Sequence, residues 1–465
     1  MLNFFIKKSR ATFWIISGFI AKHKRILLAS ALIGISSFLF ITKILPILPQ
    51  PKPTRRVGRV GRYNWEALPF KVRSLTSQGL TLVLEDGSVV PGLAESWEIS
   101  EEGKKYLFKL RDDLVWQDEE PLKAADLIYQ FSDVEIKVID DKTLEFQLKE
   151  PFAPFPAILS APVFKKNLIG VGKYRIRKIK KKDDFIEEIY FVSPEENLIY
   201  KFYPTLSAAV QAFKLGEIDV LEDILELTLN EDWQTAVQVE KETRKDRYFG
   251  AFFNLQDPIL GDKTIRQALA YATKKEFNLK RAISPINPKS WAYNPEVKTY
   301  DFNPDKAVEL FDKAFEGENE ATESAENKLD LDRENLTLKI STIQTLLPLA
   351  EDIKQSWEEV LGIKVVLETI NVLPEDFQIV LIGQEIPADP DQYALWHSTQ
   401  EQNFTHYQSP KIDKLLEDAR QLLDQAERKE RYFDFQRFLV EDAPVIFLYH
   451  PETYTISRYS IKASQ

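Results

Sequence analysis

The sequence has 465 residues, of which 44% are hydrophobic and 12% aromatic, and this composition excludes a largely disordered chain. The formal net charge is −11, but residues 1–62 contain 12 Lys or Arg and no acidic residue, so the remainder carries 49 basic against 72 acidic side chains. We therefore expect no nucleic-acid partner, because phosphates require basic patches, and the absence of Cys excludes disulfides, thiolate metal sites and a lipid-modified amino-terminal Cys.

An apolar run at 26–48 is long enough to cross a bilayer core of about 30 Å, and Lys43 is its only charged residue. Six Lys or Arg precede it, so the positive-inside rule predicts a cytoplasmic basic tail at 1–25 and an extracytoplasmic body after the span. The run ends without a small-residue cleavage site, which favours an uncleaved anchor over a signal peptide. The sequence thus predicts a single-pass protein of the cell membrane.

Two shorter segments flank this anchor. The apolar stretch at 11–21 is too short to span and is expected to lie in the membrane interface. The segment at 49–62 is rich in Pro and Arg and is predicted to be a stalk, because Pro stiffens such linkers.

Beyond residue 62 the hydrophobic pattern alternates between periods of two and about 3.6, which predicts a mixed α/β body. Period-two alternation and β-branched runs predict strands at 107–111, 144–148, 336–340, 363–368 and 379–382. Apolar stripes at helical spacing predict helices at 206–213, 265–272 and 412–419. Gly216 follows the first of these and suits the left-handed position that ends a helix. The acidic stretch at 316–334 is expected to be a solvated loop.

The search for catalytic motifs gives little. His397, His406 and His450 are the histidines of the predicted body, and none lies in an HExxH or comparable metal-ligand spacing. A metal site near His397 and His406 is conceivable because Asp389 and Asp391 lie close in sequence, but surface or pocket-lining histidines are the expected interpretation. The chain contains no G-x-S-x-G or G-x-G-x-x-G motif, so we expect no metal, no cofactor and no enzyme, although a membrane-bound peptidase remains an alternative.

The segment at 90–121, VPGLAESWEISEEGKKYLFKLRDDLVWQDEEP, closely resembles the signature of bacterial extracellular solute-binding protein family 5, the dipeptide, oligopeptide and nickel group of ABC importers. Further pieces follow in the family's order. They are AFKLGEIDV at 212–220, IRQALAYATKKE at 265–276, NFTHYQSPKIDKLL at 403–416 and APVIFLYHP at 443–451.

The resemblance implies a two-lobed α/β fold of the periplasmic-binding-protein type (type II, peptide-binding class). It implies lobe I at 63–250, completed by 432–465, and lobe II at 251–431. A hinge would close the lobes around a peptide or related small solute, and the closed monomer would be presented to the permease and ATPase subunits of an importer. A tethered peptide sensor or chaperone using the same cleft is the alternative.

In the family an acidic residue, after a strand and before a D-P-D-like stretch, pairs with the free amine of the peptide. Here the sequence reads GQEIPADPD at that point, so Glu385 is the nearest substitute and Asp389 the second candidate. Because this sequence departs from the family's pattern at the amine-binding position, the solute is not necessarily a simple peptide. The resemblance also suggests further residues of the cleft and of the crossover between lobes, namely Tyr393, Trp396, Asn403, Phe253 and Asn254.

Overall fold

A computed structural model describes residues 2–44, 52–275, 278–316 and 336–458. The chain falls into two units, Met1–Thr54 with Pro194–Asn197 and Arg55–Ser193 with Leu198–Gln465. The predicted acidic loop at 316–334 lies outside the described residues from position 317 onward.

The first unit contains the long helix α1 (Leu2–Leu39), which continues into a π-helical turn at Phe40–Ile44. Its part from Ser17 to Lys43 is long and apolar enough to cross a membrane, with a mean hydropathy of 1.9 over the best window. The predicted flank at 11–21 and the start of the predicted span belong to this one helix, with non-helical dihedral angles at His23 between them. Lys and Arg are good helix formers, so the basic residues beside His23 do not end the helix.

The second unit begins with a seven-stranded mixed sheet. In spatial order it contains β12 (Gln238–Thr243), β18 (Glu452–Ser457), β11 (Val220–Ile224), β1 (Thr54–Val60), β10 (Asn197–Tyr203), β9 (Phe185–Val192) and β8 (Arg175–Lys182). Helices α2 (Phe70–Arg73), α3 (Phe155–Ile158), α4 (Leu206–Leu215) and α5 (Glu231–Ala236) belong to the same part of the chain. The predicted helix at 206–213 is confirmed as α4, and Gly216 ends it with φ 79°.

The predicted stalk at 49–62 is wrong for half of its length, because Thr54–Val60 forms the central strand β1. This strand runs parallel to β11, with Val57 opposite Val220. Two ion pairs, Arg56 with Asp219 and Arg59 with Glu222, satisfy two of the charges that the segment carries into the sheet. Long-range partners therefore make a strand out of a segment whose composition is typical of a linker.

A four-stranded antiparallel sheet and a two-stranded hairpin are inserted after β1. The sheet has the order β4 (Ala94–Ser100), β5 (Lys105–Leu110), β7 (Thr143–Leu148) and β6 (Val134–Asp140), and the hairpin is β2 (Thr81–Val83) with β3 (Val89–Pro91). The predicted strands at 107–111 and 144–148 are confirmed as β5 and β7. Alternate residues of both strands, such as Phe108 and Phe146, are buried in a separate core.

A five-stranded sheet organises the rest of the chain. Its order is β15 (Lys364–Thr369), β14 (Thr337–Thr342), β16 (Ile379–Glu385), β13 (Arg247–Phe253) and β17 (Val445–Tyr449). The accompanying helices are α6 (Lys263–Ala272), α7 (Pro304–Glu316), α8 (Leu347–Leu361), α9 (Tyr393–Trp396), α10 (Pro410–Gln421) and α11 (Gln425–Asp442). One hydrophobic core joins this sheet to these helices. The remaining strands and helices predicted from the sequence are confirmed here.

The chain passes between the seven-stranded and five-stranded sheets twice, at 244–246 and at 450–451. The backbone N–H of Arg244 donates to the carbonyl oxygen of Pro451 at 2.8 Å, so the two crossings are hydrogen bonded. The expected boundaries at 250/251 and 431/432 fall inside β13 and α11 instead. Below, lobe I means residues 55–243 with 452–458, and lobe II means the described residues within 247–449.

Candidate functional site

Glu385, expected to follow a strand, is the last residue of β16 and lies opposite Arg247 at the start of β13. Its side chain is 85% exposed, and its carboxylate lies 3.7 Å from Arg247 Nη2. The same nitrogen lies 3.6 Å from the carboxylate of Asp223 in lobe I. Glu385 is therefore placed beside the crossings between the lobes, where it shares one guanidinium with a carboxylate of the other lobe.

Asp389 is already bound to a basic side chain of its own lobe. Its Oδ1 atom accepts from Arg428 Nη2 at 3.2 Å, and the two side chains are 13% and 9% exposed. Burial raises the pKa of Asp389, and the nearby Arg428 opposes that rise. The next acid, Asp391, accepts three hydrogen bonds from Arg420 at 2.8–3.1 Å. Both carboxylates of the D-P-D run are thus engaged by arginines of α10 and α11.

Tyr393 begins α9 and lies between a cation and an imidazole. The guanidinium of Arg420 lies 3.7 Å from the centre of its ring, and His397 stacks on it with centroids 4.1 Å apart. His397 is buried, and its Nδ1 accepts from the backbone N–H of Thr399, so Nε2 carries the proton and lies 3.4 Å from Glu417. Tyr393 itself remains half-buried.

Three of the predicted site residues support the backbone. Phe253 ends β13 and is fully buried. The amide nitrogen of Asn254 donates to the carbonyl of Phe377 at 2.9 Å. Asn403 donates to the carbonyls of His397 and Tyr407 and accepts from the backbone N–H of Tyr407. These contacts shape the ends of β13 and the loop after α9.

Trp396 is the predicted residue that lines a cavity. The ring is 2% exposed and stacks on Phe252 with centroids 6.5 Å apart. The narrow interior of this cavity has room for about one water-sized group. Its lining residues are Tyr248, Phe252, Gln384, Leu395, Trp396, Phe404 and Thr405. It lies entirely within lobe II.

The sequence pattern did not single out Tyr248, Gln384 or Gln392. Tyr248 and Trp396 line the cavity, and within the part of the chain that the structure describes neither the Tyr248 hydroxyl nor the Trp396 indole N–H has a hydrogen-bond partner. The amide of Gln392, fully buried at the start of α9, has no described partner either. Burial raises the pKa of Tyr248, so its phenol stays neutral and keeps its proton. The position of a tyrosine within the apolar run of β13 is the sequence feature that could have identified Tyr248.

The lobes also meet away from the crossings. The backbone N–H of Trp291 in lobe II donates to Asp86 of the β2–β3 hairpin at 2.9 Å, and its indole N–H donates to the carbonyl of Gly87 at 3.3 Å. Elsewhere, the N–H of Ala153 in lobe I donates to the carbonyl of Arg420 at 2.6 Å. The structure thus describes lobes in mutual contact.

Among the residues that the structure describes, no cluster of three His, Asp or Glu is arranged to hold a metal ion. His406, which the sequence placed near a conceivable site, is an exposed loop residue with φ 55°.

Comparison with known proteins agrees with this fold. Residues 88–134 and 129–406 match the model for bacterial extracellular solute-binding proteins, family 5 middle. The dipeptide-binding protein of Escherichia coli is 23% identical over an alignment covering 80% of this chain and 83% of that protein. The oligopeptide-binding protein AppA of Bacillus subtilis is 25% identical over 69% of this chain and 60% of its own length.

Solved structures show the same two-lobed type II fold. NikZ from Campylobacter jejuni, in complex with Ni(L-His), superposes with a TM-score of 0.72 and 25% identity over 88% of this chain and 94% of that one. AppA from Bacillus subtilis, in complex with a nonapeptide, gives a TM-score of 0.68 and 19% identity over 90% and 97% of the two chains. The predicted fold class and resemblance are confirmed, and the chain belongs to family 5 of the bacterial extracellular solute-binding proteins.

Proposed function

We propose that this protein is a membrane-anchored extracytoplasmic binding protein that captures peptides, or a chemically related solute, between lobes I and II and delivers them to an ABC importer. The observation that carries this proposal is the family match from residue 88 to 406, which spans parts of both lobes and the first crossing between them. Relatives are named as dipeptide- and oligopeptide-binding proteins, which supports the ligand class.

The arrangement of the crossings supports capture by closure. Two short segments join the lobes, so a rotation about 244–246 and 450–451 would separate lobe I from lobe II with few backbone changes. A solute that contacts both lobes stabilises the closed form, because ligands shift an equilibrium by their differential affinity for its states. The closed monomer would then be recognised by permease subunits.

The predicted site residues divide into two groups in this proposal. Glu385, Tyr393 and Trp396 are exposed, half-buried or beside the cavity, and we assign them to solute contact. Asp389, Asn403, Phe253 and Asn254 are engaged within lobe II, and we assign them to positioning the first group.

The membrane anchor rests on the apolar helix and on the charge of the tail. The helix from Ser17 to Lys43 has the length and hydropathy of a membrane span, and the predicted orientation follows from the basic residues before it. Peptide mapping of the protein extracted from membranes should find the residues before Ser17 intact. Their absence would indicate a cleaved leader instead.

The first test is mass spectrometry of small molecules released by denaturing the purified full chain, followed by melting curves with defined peptides. Released peptides, or a melting temperature that rises with peptide concentration, would support the proposal, since a ligand that binds only the native state stabilises it. If no peptide is released and no added peptide raises the melting temperature, the proposal of a peptide ligand is contradicted. Binding without peptide uptake in cells would favour the tethered sensor or chaperone.

A further inference from the structure

The cavity beneath α9 contains two buried hydrogen-bond donors without described partners. Tyr248 is 1% exposed and Trp396 is 2% exposed, and both line this cavity. An unsatisfied buried donor destabilises the native state, because it has lost its hydrogen bonds with water. Native proteins rarely leave such groups unpaired, so two of them around one cavity indicate an acceptor that is supplied when the protein works.

The walls specify the charge of that acceptor. Phe252, Leu395 and Phe404 are apolar, Gln384 and Thr405 are polar but uncharged, and no Lys, Arg, Asp or Glu is among the lining residues. A buried carboxylate would have no counter-ion there, and burying an unpaired charge is very costly. An ammonium group would meet two donors and no carboxylate. An uncharged carbonyl oxygen accepts from both donors and carries no charge.

Nearby carboxylates do not change this conclusion. Asp389 and Asp391 are hydrogen bonded to Arg428 and Arg420, and Glu385 lies beside Arg247. The acids expected to hold a free amine are therefore each close to a guanidinium. The described donors around the cavity therefore favour a solute recognised through an accepting group.

We infer that the cavity lined by Tyr248 and Trp396 receives one uncharged carbonyl oxygen of the captured solute, and that a free amine is not required for binding. This inference rests on the proposed function, since it describes how a peptide-like solute is held. The size of the cavity fits one such oxygen, and the rest of the solute would lie outside it.

The Tyr248 hydroxyl can be removed with little change in shape. Tyr248→Phe deletes one donor, and Trp396→Phe deletes the other with some loss of volume. Tyr203→Phe is a matched control, because the Tyr203 hydroxyl is also buried without a described partner but lies in lobe I. Melting temperatures of all variants separate a loss of binding from a loss of folding.

The experiment measures the Kd of trialanine, N-acetyl-trialanine and single-thioamide trialanines with the full chain in detergent. We expect acetylation to change Kd by less than about threefold. We expect one thioamide position to weaken binding about 3- to 10-fold, which is the range of one neutral hydrogen bond. That loss should disappear in Tyr248→Phe and persist in Tyr203→Phe.

Three results would overturn the inference. Loss of binding on acetylation would show that a free amine is required. Unchanged Kd in Tyr248→Phe and Trp396→Phe, with lower melting temperatures, would show that a buried water alone occupies the cavity. No binding of any peptide to the unsubstituted chain would contradict the proposed function and this inference together, whereas the first two results leave peptide capture standing.

Discussion

The Nδ1 atom of His450 lies 2.8 Å from the carbonyl oxygen of Arg247, so the second crossing between the lobes is hydrogen bonded to the first strand of lobe II. A carbonyl oxygen only accepts, so this nitrogen carries the proton and donates. His450 is buried, with 1% of its surface exposed. Both crossings are therefore fixed by specific contacts, and their stability should respond to changes at these contacts.

Acidification should destabilise the protein through His450. Burial lowers the pKa of His450 below its usual value of 6.5, so the unfolded chain binds this proton more readily than the native one. Above pH 6.5 His450 causes no such destabilisation. Below pH 6.5 the free energy of unfolding falls with pH, by at most about 1.4 kcal/mol per pH unit. The free energy of unfolding, measured by urea titration between pH 7.5 and 5, should depend less steeply on pH in His450→Asn than in the wild type. Asn is chosen because its side chain retains a hydrogen-bond donor.

The exposed His406 provides a control for that measurement. His406→Asn is the control variant, because the side chain is exposed and Asn tolerates the left-handed backbone at φ 55°. Equal slopes for the wild type and His450→Asn would show that His450 does not contribute to the acid sensitivity.

Asp223 should be far more important for stability than its neighbour Asp246. Asp223 is 9% exposed and accepts from Arg59 of lobe I and from Arg244 at the first crossing, the latter at 2.6 Å. Asp223→Asn keeps the shape and tolerates φ 57°, but it leaves these guanidiniums short of one negative charge. We expect a loss of about 3 kcal/mol in the free energy of unfolding, measured by urea titration.

Asp246 is the matched comparison, since it also pairs with Arg244 but is 50% exposed. Asp246→Asn should cost less than about 1 kcal/mol, because exposed ion pairs contribute little. Similar losses in the free energy of unfolding for the two variants would mean that the burial of Asp223 does not strengthen the contribution of its ion pairs.

The strands and helices could be predicted from local pattern, because periodicity reports which face of an element is buried. The predicted helices and β5, β7, β14 and β16 needed no distant information. β1 was missed because the partners of Arg56 and Arg59 lie more than 160 residues away. No local pattern of a basic segment encodes those partners.

The candidate site was less predictable for the same reason. Asp389 was a reasonable amine ligand from its place in the chain, but the pairing with Arg428 on α11 appears only in the folded molecule. Tyr248 gave a weak signal, since a tyrosine in a buried strand normally packs like a phenylalanine. Its role depends on Trp396, which is 148 positions further along the chain.

Gly87→Ala should weaken the contact between the β2–β3 hairpin and lobe II. Gly87 has φ 80°, and an added Cβ would lie 3.1 Å from the carbonyl oxygen of Ala388 and 3.3 Å from Trp291 Nε1. The backbone strain alone is about 1–2 kcal/mol. Added crowding between the lobes should shift the ligand-free protein towards open forms, which increases the distance between fluorophores placed on the two lobes.

Gly216→Ala separates strain from crowding. Gly216 has φ 79°, but an added Cβ there would meet only Arg458, at 4.0 Å. It should lower stability similarly while leaving the distance between the lobes unchanged. An unchanged distance in Gly87→Ala would contradict a role for this hairpin in holding the lobes together.

Asn403→Ala should loosen the loop that carries the cavity wall. Its amide donates to two carbonyls, at 3.3 and 2.8 Å, and accepts from Tyr407 N–H and the Thr405 hydroxyl. Leaving such buried groups unpaired costs about 1–3 kcal/mol, and hydrogen exchange across 397–407 should accelerate accordingly. Asn64→Ala, which removes one exposed turn contact, should have little effect. Because Phe404 and Thr405 line the cavity, weaker peptide binding should accompany the faster hydrogen exchange. Faster exchange with an unchanged Kd would show that this loop does not contribute to solute capture.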